Sequence, residues 1–286
     1  MKNVIVNSKK ISQEDLLEIV SISLSKDIVA KGGNSACVVV NFDGEDYVVL
    51  RTPVMELCHF ERELRDDEWD RVFADGNLSL KKAMDYAVIH EADKAVPILG
   101  FIYDKDSITK EFGSAYAKTF VVEKRAKGRE LYKKLPNPYG NVEKFKAKCF
   151  EFAREYSKIP VQHFEEFFRN MEKISVDLKV DPSKSSNFFY DENEGFSFID
   201  LCFLSHAKLK KIEVAQYIAA QFRDRVKQYG FKFDSPQMQQ EYEKNMSLIY
   251  QNMAKAFIAA GLSIEECCWL YEKMDIEFDV PGRENI

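Results

Sequence analysis

The sequence predicts an α+β protein in two parts, and three observations carry that reading. Apolar, β-branched runs separated by turns occupy roughly the first 120 residues. Beyond Asn141, apolar residues recur at helical spacing for most of the remaining chain. One hairpin pattern, Phe188-Phe-Tyr190 and Phe196-Ser-Phe-Ile199 around a Gly-ended polar turn, interrupts that helical part. The expected division is a sheet-rich part over 1–123 and a helical part over 124–286.

Composition bounds the function. The chain has 286 residues, 45% apolar and 31% charged, enough to bury one large core or two smaller ones. A net charge of −6 argues against a nucleic-acid binder that works by neutralising phosphates. No apolar run approaches the roughly 20 residues that cross a bilayer. The opening MKNVIVNSKK carries charges where a secretory leader needs an unbroken apolar stretch. Six cysteines without metal or disulfide spacing, and four scattered histidines, point to a reducing cytoplasm and away from zinc.

Taken in order, Ser12-Gln-Glu-Asp15 reads as the cap of an opening helix. Cys37–Phe42 and Tyr47–Arg51 flank Asp43-Gly44 and read as a hairpin. Gly32 and Gly33 ahead of it fit an ordinary turn better than a phosphate-covering loop. Residues 54–73 and 80–91 read as helices, 96–103 and 115–122 as strands. Helices are expected over 141–157 and 161–176, the second with Phe164, Phe167, Phe168, Met171 and Ile174 on its buried face. A helix is expected to resume near Ile212. Ser235 caps a further helix carrying Tyr242, Met246, Ile249, Met253 and Phe257, which stops at Gly261. Ser263-Ile-Glu-Glu266 is a capping box for the last helix, over 264–274.

The hairpin at 188–199 is where chemistry is concentrated. Asp181, Lys184 and Asn187 lie at its entry and Asp200 at its exit. A carboxamide and a carboxylate held on neighbouring strands can share a hard divalent cation, which takes oxygen ligands. The plainer reading is a hairpin with polar ends.

Lys184-Ser-Ser-Asn187, followed after a strand and a turn by Phe198-Ile-Asp-Leu201, resembles the catalytic and metal-binding loops of the protein-kinase-like superfamily, which includes the aminoglycoside and choline phosphotransferases. The resemblance implies that Asn187 and Asp200 hold Mg²⁺ and that Lys184 offsets phosphate charge. Asp181 would orient or deprotonate an acceptor hydroxyl. The family sets its catalytic Asp five residues before the Asn, where this chain has Pro182, so Asp181 falls one residue early. The strand ending at Glu123 and the segment to Gly128 resemble the family's hinge, which implies that the Glu123 carbonyl and the Arg125 N–H bond an adenine edge. Arg51 stands where the family has a phosphate-contacting basic residue, most often Lys; an acid of 54–73 or Asp85 would pair with it. Gly32 and Gly33 fall at the nucleotide-covering loop. The resemblance spans roughly 30–210. It implies a two-lobed fold and transfer of the γ-phosphate of ATP or GTP to a hydroxyl. The short segment between Asp200 and Ile212 favours a small-molecule kinase, or an atypical protein kinase that lacks a phosphorylation-regulated segment, so the acceptor is a small molecule or a protein. The alternative is a nucleotide-binding pseudokinase that regulates or recruits, consistent with the shifted Asp181 and with Arg in place of Lys at 51.

Overall fold

The computed structural model describes residues 2–31, 36–52, 81–89, 91–111, 114–130, 137–177, 187–199, 209–278 and 280–282. Two compact units emerge, the first within 1–126 and the second within 127–286. The helix expected over 54–73 lies outside the described residues.

The first unit is a six-stranded antiparallel sheet with a helix on each face. Its strands are β1 (Lys2–Val6), β2 (Ala30–Lys31), β3 (Ala36–Phe42), β4 (Glu45–Thr52), β5 (Ile98–Glu111) and β6 (Ser114–Lys124), in the order β1-β5-β6-β4-β3-β2. The β3–β4 hairpin turns at Asp43-Gly44, as the sequence indicates, pairing Phe42 with Glu45 and Ala36 with Arg51. Helix α1 (Gln13–Leu24) begins where the Ser12 hydroxyl oxygen accepts the Asp15 N–H at 3.0 Å. Its Leu16 and Ile19 pack with Val38, Val40, Val49, Ile102 and Val122. Helix α2 (81–89) places Ala83 and Met84 against Ile98, Phe101 and Val121. Neighbours such as Val121-Val122 and Phe101-Ile102 are therefore both buried, one under each helix. A sheet covered on both faces selects continuous apolar runs over alternation. Each such side chain contributes roughly 1.5–3 kcal/mol on burial.

Four features of the sheets differ from the expected elements, the first being the two-residue β2, which pairs Ala30 with Cys37 of β3. β1 is added beside β5, pairing Val4 with Ile102. β5 runs on to Glu111, past the expected end at 103, through a register shift after Asp104. That extension is polar, and its ladder with β6 needs backbone groups, not apolar side chains. The two-residue β7 (Arg129–Glu130) belongs to the second unit. Gly100, inside β5, allows a close crossing: a Cβ there would stand 2.6 Å from the Ile5 carbonyl oxygen and 2.9 Å from Leu16 Cδ2.

The second unit packs helices around a small sheet, β7-β8-β9, where β8 is Phe188–Asp191 and β9 is Gly195–Phe198. Its helices are α3 (Val142–Tyr156), α4 (Val161–Asp177), α5 (Lys211–Gln221), α6 (Arg225–Gln228), α7 (Pro236–Ala259) and α8 (Ile264–Lys273). The expected stripes are buried: Phe164, Phe167, Phe168, Met171 and Ile174 on α4, and Tyr242, Met246, Ile249, Met253 and Phe257 on α7. Asn141 and Ser235 cap α3 and α7, and Ser263 and Glu266 form the reciprocal capping box of α8. Each such cap contributes about 1 kcal/mol.

β7 reaches β8 because residue 128 is glycine. Its φ is +78°, and a Cβ would lie 2.1 Å from the Tyr190 carbonyl oxygen. Gly128→Ala is expected to destabilise the full chain by ~3 kcal/mol through strain and the broken β7–β8 approach. Chemical denaturation checks this; an unmoved midpoint would refute the approach.

Candidate functional site

The β8–β9 hairpin sets the geometry of the candidate site. Its turn is closed by the Asp191 carboxylate, whose Oδ1 accepts the N–H groups of Asn193 at 2.9 Å and Glu194 at 3.0 Å. Pairing runs from Asp191↔Gly195 to Phe188↔Phe198, and beyond it the Ile199 N–H donates to the Asn187 carbonyl at 3.0 Å. Asn187 therefore stands opposite Ile199, the residue before Asp200. With period-2 alternation, Phe188, Tyr190, Phe196 and Phe198 share one face. That face packs on α4: the Phe167 ring lies 4.2 Å from Phe196, near-parallel at 18°, and 5.3 Å and 5.5 Å from Phe188 and Phe198. The opposite face carries Phe189 and Ser197, paired across the strands. Asn187 itself is only 4% exposed.

Burial of the Tyr190 ring raises its phenol above the usual range, and its hydroxyl lies 3.2 Å from His163 Nδ1. The guanidinium of Arg129 sits 5.2 Å from the centre of the Tyr156 ring and pairs with Glu155 at 2.7 Å. These contacts brace β7 and the hairpin against α3 and α4.

The remaining expected site residues divide. Asp181, Lys184, Asp200, Gly32 and Gly33 lie outside the described residues. Arg51 is described through its backbone, which pairs with Ala36 of β3 and Phe120 of β6. Asp85 is on the exposed side of α2. Glu123 is a buried residue of β6, opposite Val48 and Ile98. Burial first, and the Glu123 charge second, raise the Cys37 thiol above its ordinary value.

One expectation is corrected. The Arg125 N–H, expected to face an adenine, donates instead to the Asp46 carbonyl at 3.2 Å. Hydrogen-bonded pairs alternate along an antiparallel ladder, so the Val48–Glu123 pair bonds in the same direction and the Glu123 carbonyl also turns toward β4. The cause is sheet pairing: β6 keeps its partner for two residues beyond Glu123. The side chains reinforce it, with Arg125 Nη1 2.6 Å from Asp46 Oδ2 and Asn41 Nδ2 3.0 Å from Asp46 Oδ1. Sequence reasoning passed over Asp46, which is 79 residues from Arg125 and looked like ordinary turn polarity.

No protein-family model matches the sequence, and no curated protein does. Among solved structures, the chain is similar to WaaP in complex with acyl carrier protein, with a TM-score of 0.40, 10% identity, and coverage of 96% of this chain and 98% of that one. It is also similar to the kinase domain of a Toxoplasma gondii rhoptry antigen (TM-score 0.34, 9% identity, 89% and 74% covered). A third is a thermostable mutant of the aminoglycoside phosphotransferase APH(4)-Ia in its apo form (TM-score 0.30, 12% identity, 92% and 97% covered). These neighbours are kinase-like, and at such TM-scores they assign no role to any residue.

Hydrogen bonds from Asn41, then from Arg125, hold the Asp46 carboxyl below its ordinary 3.8. A carboxyl lowered by folding adds stability above that value, and the contribution is lost as pH falls through the folded pKa. Both partners are well exposed, so the effect is small and weakens with salt. Asp46→Asn is therefore expected to melt slightly lower than wild type at pH 7 and to converge with it on acidification below about pH 4. A gap that widens in acid would contradict the assignment.

Proposed function

We propose that this chain is a cytoplasmic phosphotransferase that moves the γ-phosphate of Mg-bound ATP or GTP to the hydroxyl of a small-molecule acceptor. The observation that carries the reading is the hairpin register. It sets the buried Asn187 opposite Ile199, the residue before Asp200 in the sequence, and this reading pairs the Asn187 carboxamide with the Asp200 carboxylate. That is an oxygen-donor set of the kind a hard cation takes, and the buried carboxamide at the hairpin's end fits it. When bound, Mg²⁺ offsets charge on the nucleotide phosphates. This reading assigns Arg51 and Lys184 the role of offsetting phosphate charge, and Gly32 and Gly33 that of the nucleotide-covering loop. Asp181 orients the acceptor hydroxyl and accepts its proton. Positioning of this kind supplies up to roughly 7–11 kcal/mol of barrier lowering, and a base about 10²–10⁴-fold in rate. Glu123 and Arg125 enter this reading as structural members of β6. Base contacts through their outward groups are no part of it.

A second reading, a nucleotide-binding pseudokinase, is favoured by the engagement of the Arg125 N–H in the sheet and by Pro182 in the family's base position. The two separate by experiment. Thermal melting with Mg²⁺ and ATP, then GTP, is expected to show a rise, since ligand at about 100 times its Kd adds about 2.7 kcal/mol. Asp200→Ala is expected to lose the Mg²⁺-dependent part. Absence of any shift with purine nucleotides would remove both readings. In an acceptor-panel assay, Asp181→Ala is expected to lower turnover by about 10²–10⁴-fold with the nucleotide shift intact. Equal turnover in the two proteins would exclude Asp181 as the base, and a shift with no turnover in wild type would select the pseudokinase.

A further inference from the structure

A cavity of about 540 Å³ lies at the C-terminal end of α8, within the size range of small-molecule sites. Helix α8 ends where Asp275 takes a left-handed φ of +54° and the Ile276 N–H reaches back to the Tyr271 carbonyl at 2.9 Å. That reversal returns the chain along the helix, and the Phe278 ring comes to rest 6.0 Å from the Tyr271 ring at 61°. The cavity is lined by this helix end and the segment that follows it.

Two kinds of surface meet there. Tyr271 and Ile276 are buried and Phe278 partly so, which makes one part of the lining sheltered and apolar. The Tyr271 hydroxyl is already spent on the Tyr250 carbonyl at 2.7 Å. The other part is three exposed carboxylates, Glu272, Asp275 and Glu277, and no basic residue lines the cavity among the described residues. Carboxylates at a helix C-terminus add to the negative end of its dipole, an unfavourable arrangement that a cation relieves. The basic residue of that last turn is turned to other partners: Lys273 Nζ lies 4.6 Å from the centre of the Trp269 ring and 3.4 Å from Gln216 Oε1. One alkylammonium of the chain does reach these acids. Lys227 of α6 brings its Nζ to 2.8 Å from Glu277 and 3.9 Å from Asp275, so the carboxylates stand where an amine can meet them. One ammonium against three carboxylates leaves an excess of negative charge.

We propose that this cavity binds an organic cation, an amine that carries an apolar body, independently of the β8–β9 hairpin. The body covers Tyr271, Ile276 and Phe278, and the ammonium meets the carboxylates beside them. Aromatic ring faces attract such a cation as well. A bare metal ion would leave the apolar half of the lining unfilled, and an anion would be repelled.

Calorimetric titration of the full chain with n-hexylamine is expected to show saturable binding with a Kd of roughly 1 mM, weakened by salt. Ethylamine, which lacks the apolar body, is expected to bind at least about tenfold more weakly, and hexanoate not at all. Equal binding of ethylamine, or binding of hexanoate, would overturn the proposal. Asp275→Asn keeps a residue that tolerates the left-handed backbone; combined with Glu277→Gln it is expected to weaken hexylamine about tenfold. Glu14→Gln, an exposed change on α1, leaves the affinity unaltered. Lys227→Gln releases the two carboxylates and is expected to tighten binding about threefold. Wild-type affinity in the double variant, or no tightening in Lys227→Gln, would count against the site. A measurement on the wild-type chain uses Cys268, which lines the same cavity. Hexylamine is expected to slow its alkylation by N-ethylmaleimide, read by peptide mass, and an unchanged rate at saturating amine would refute binding there.

Discussion

The hairpin that carries Asn187 depends on the aromatic packing centred on Phe167. A two-stranded ribbon is marginal by itself in water, and β8–β9 is held because Phe167 of α4 lies against Phe188, Phe196 and Phe198 at once. The near-parallel stack with Phe196 and the edge contact with Phe188 are the offset and T-shaped arrangements aromatic rings prefer. This packing also sets the register. A slip of one residue would bring Phe189 and Asp191 inward and expose Phe188 and Tyr190. The burial of those rings selects the register in which the Ile199 N–H donates to the Asn187 carbonyl.

The first unit answers a different constraint. Its central strands are apolar at consecutive positions because α1 covers one face and α2 the other. The ladder between β4 and β6 extends past the apolar core to Asp46 and Arg125, where backbone and side-chain bonds coincide. That short continuation changes the chemistry of the segment. N–H and C=O groups that a sequence reading leaves open to a ligand are spent on the neighbouring strand. A backbone donor with a strand alongside takes the strand, since its alternative is competition with water.

Local patterns made much of this legible. Capping residues Ser12, Ser235 and Ser263, the Phe stripe of α4 and the Asp43-Gly44 and Gly195 turns each act over a few residues, and the structure follows them. Of the candidate site, the hairpin that bears Asn187 could be read. The partner of Arg125 could not, because Asp46 has no local mark that distinguishes it from any turn acid. Nor could β1, whose short apolar run is paired with a β5 almost a hundred residues away, or β7, whose two residues exist as a strand because Gly128 lets the chain meet Tyr190.

By itself, the sequence determined most of the described helices, the β3–β4 and β8–β9 hairpins and which of their faces are apolar, since periodicity, caps and turn residues act through neighbours along the chain. Only the tertiary structure decided the order of strands in the sheet, the engagement of the Arg125 N–H, and the meeting of Lys227 with Glu277. Those outcomes are competitions among groups far apart in sequence. The winner is set by which donor, acceptor or ring the packed chain brings within reach.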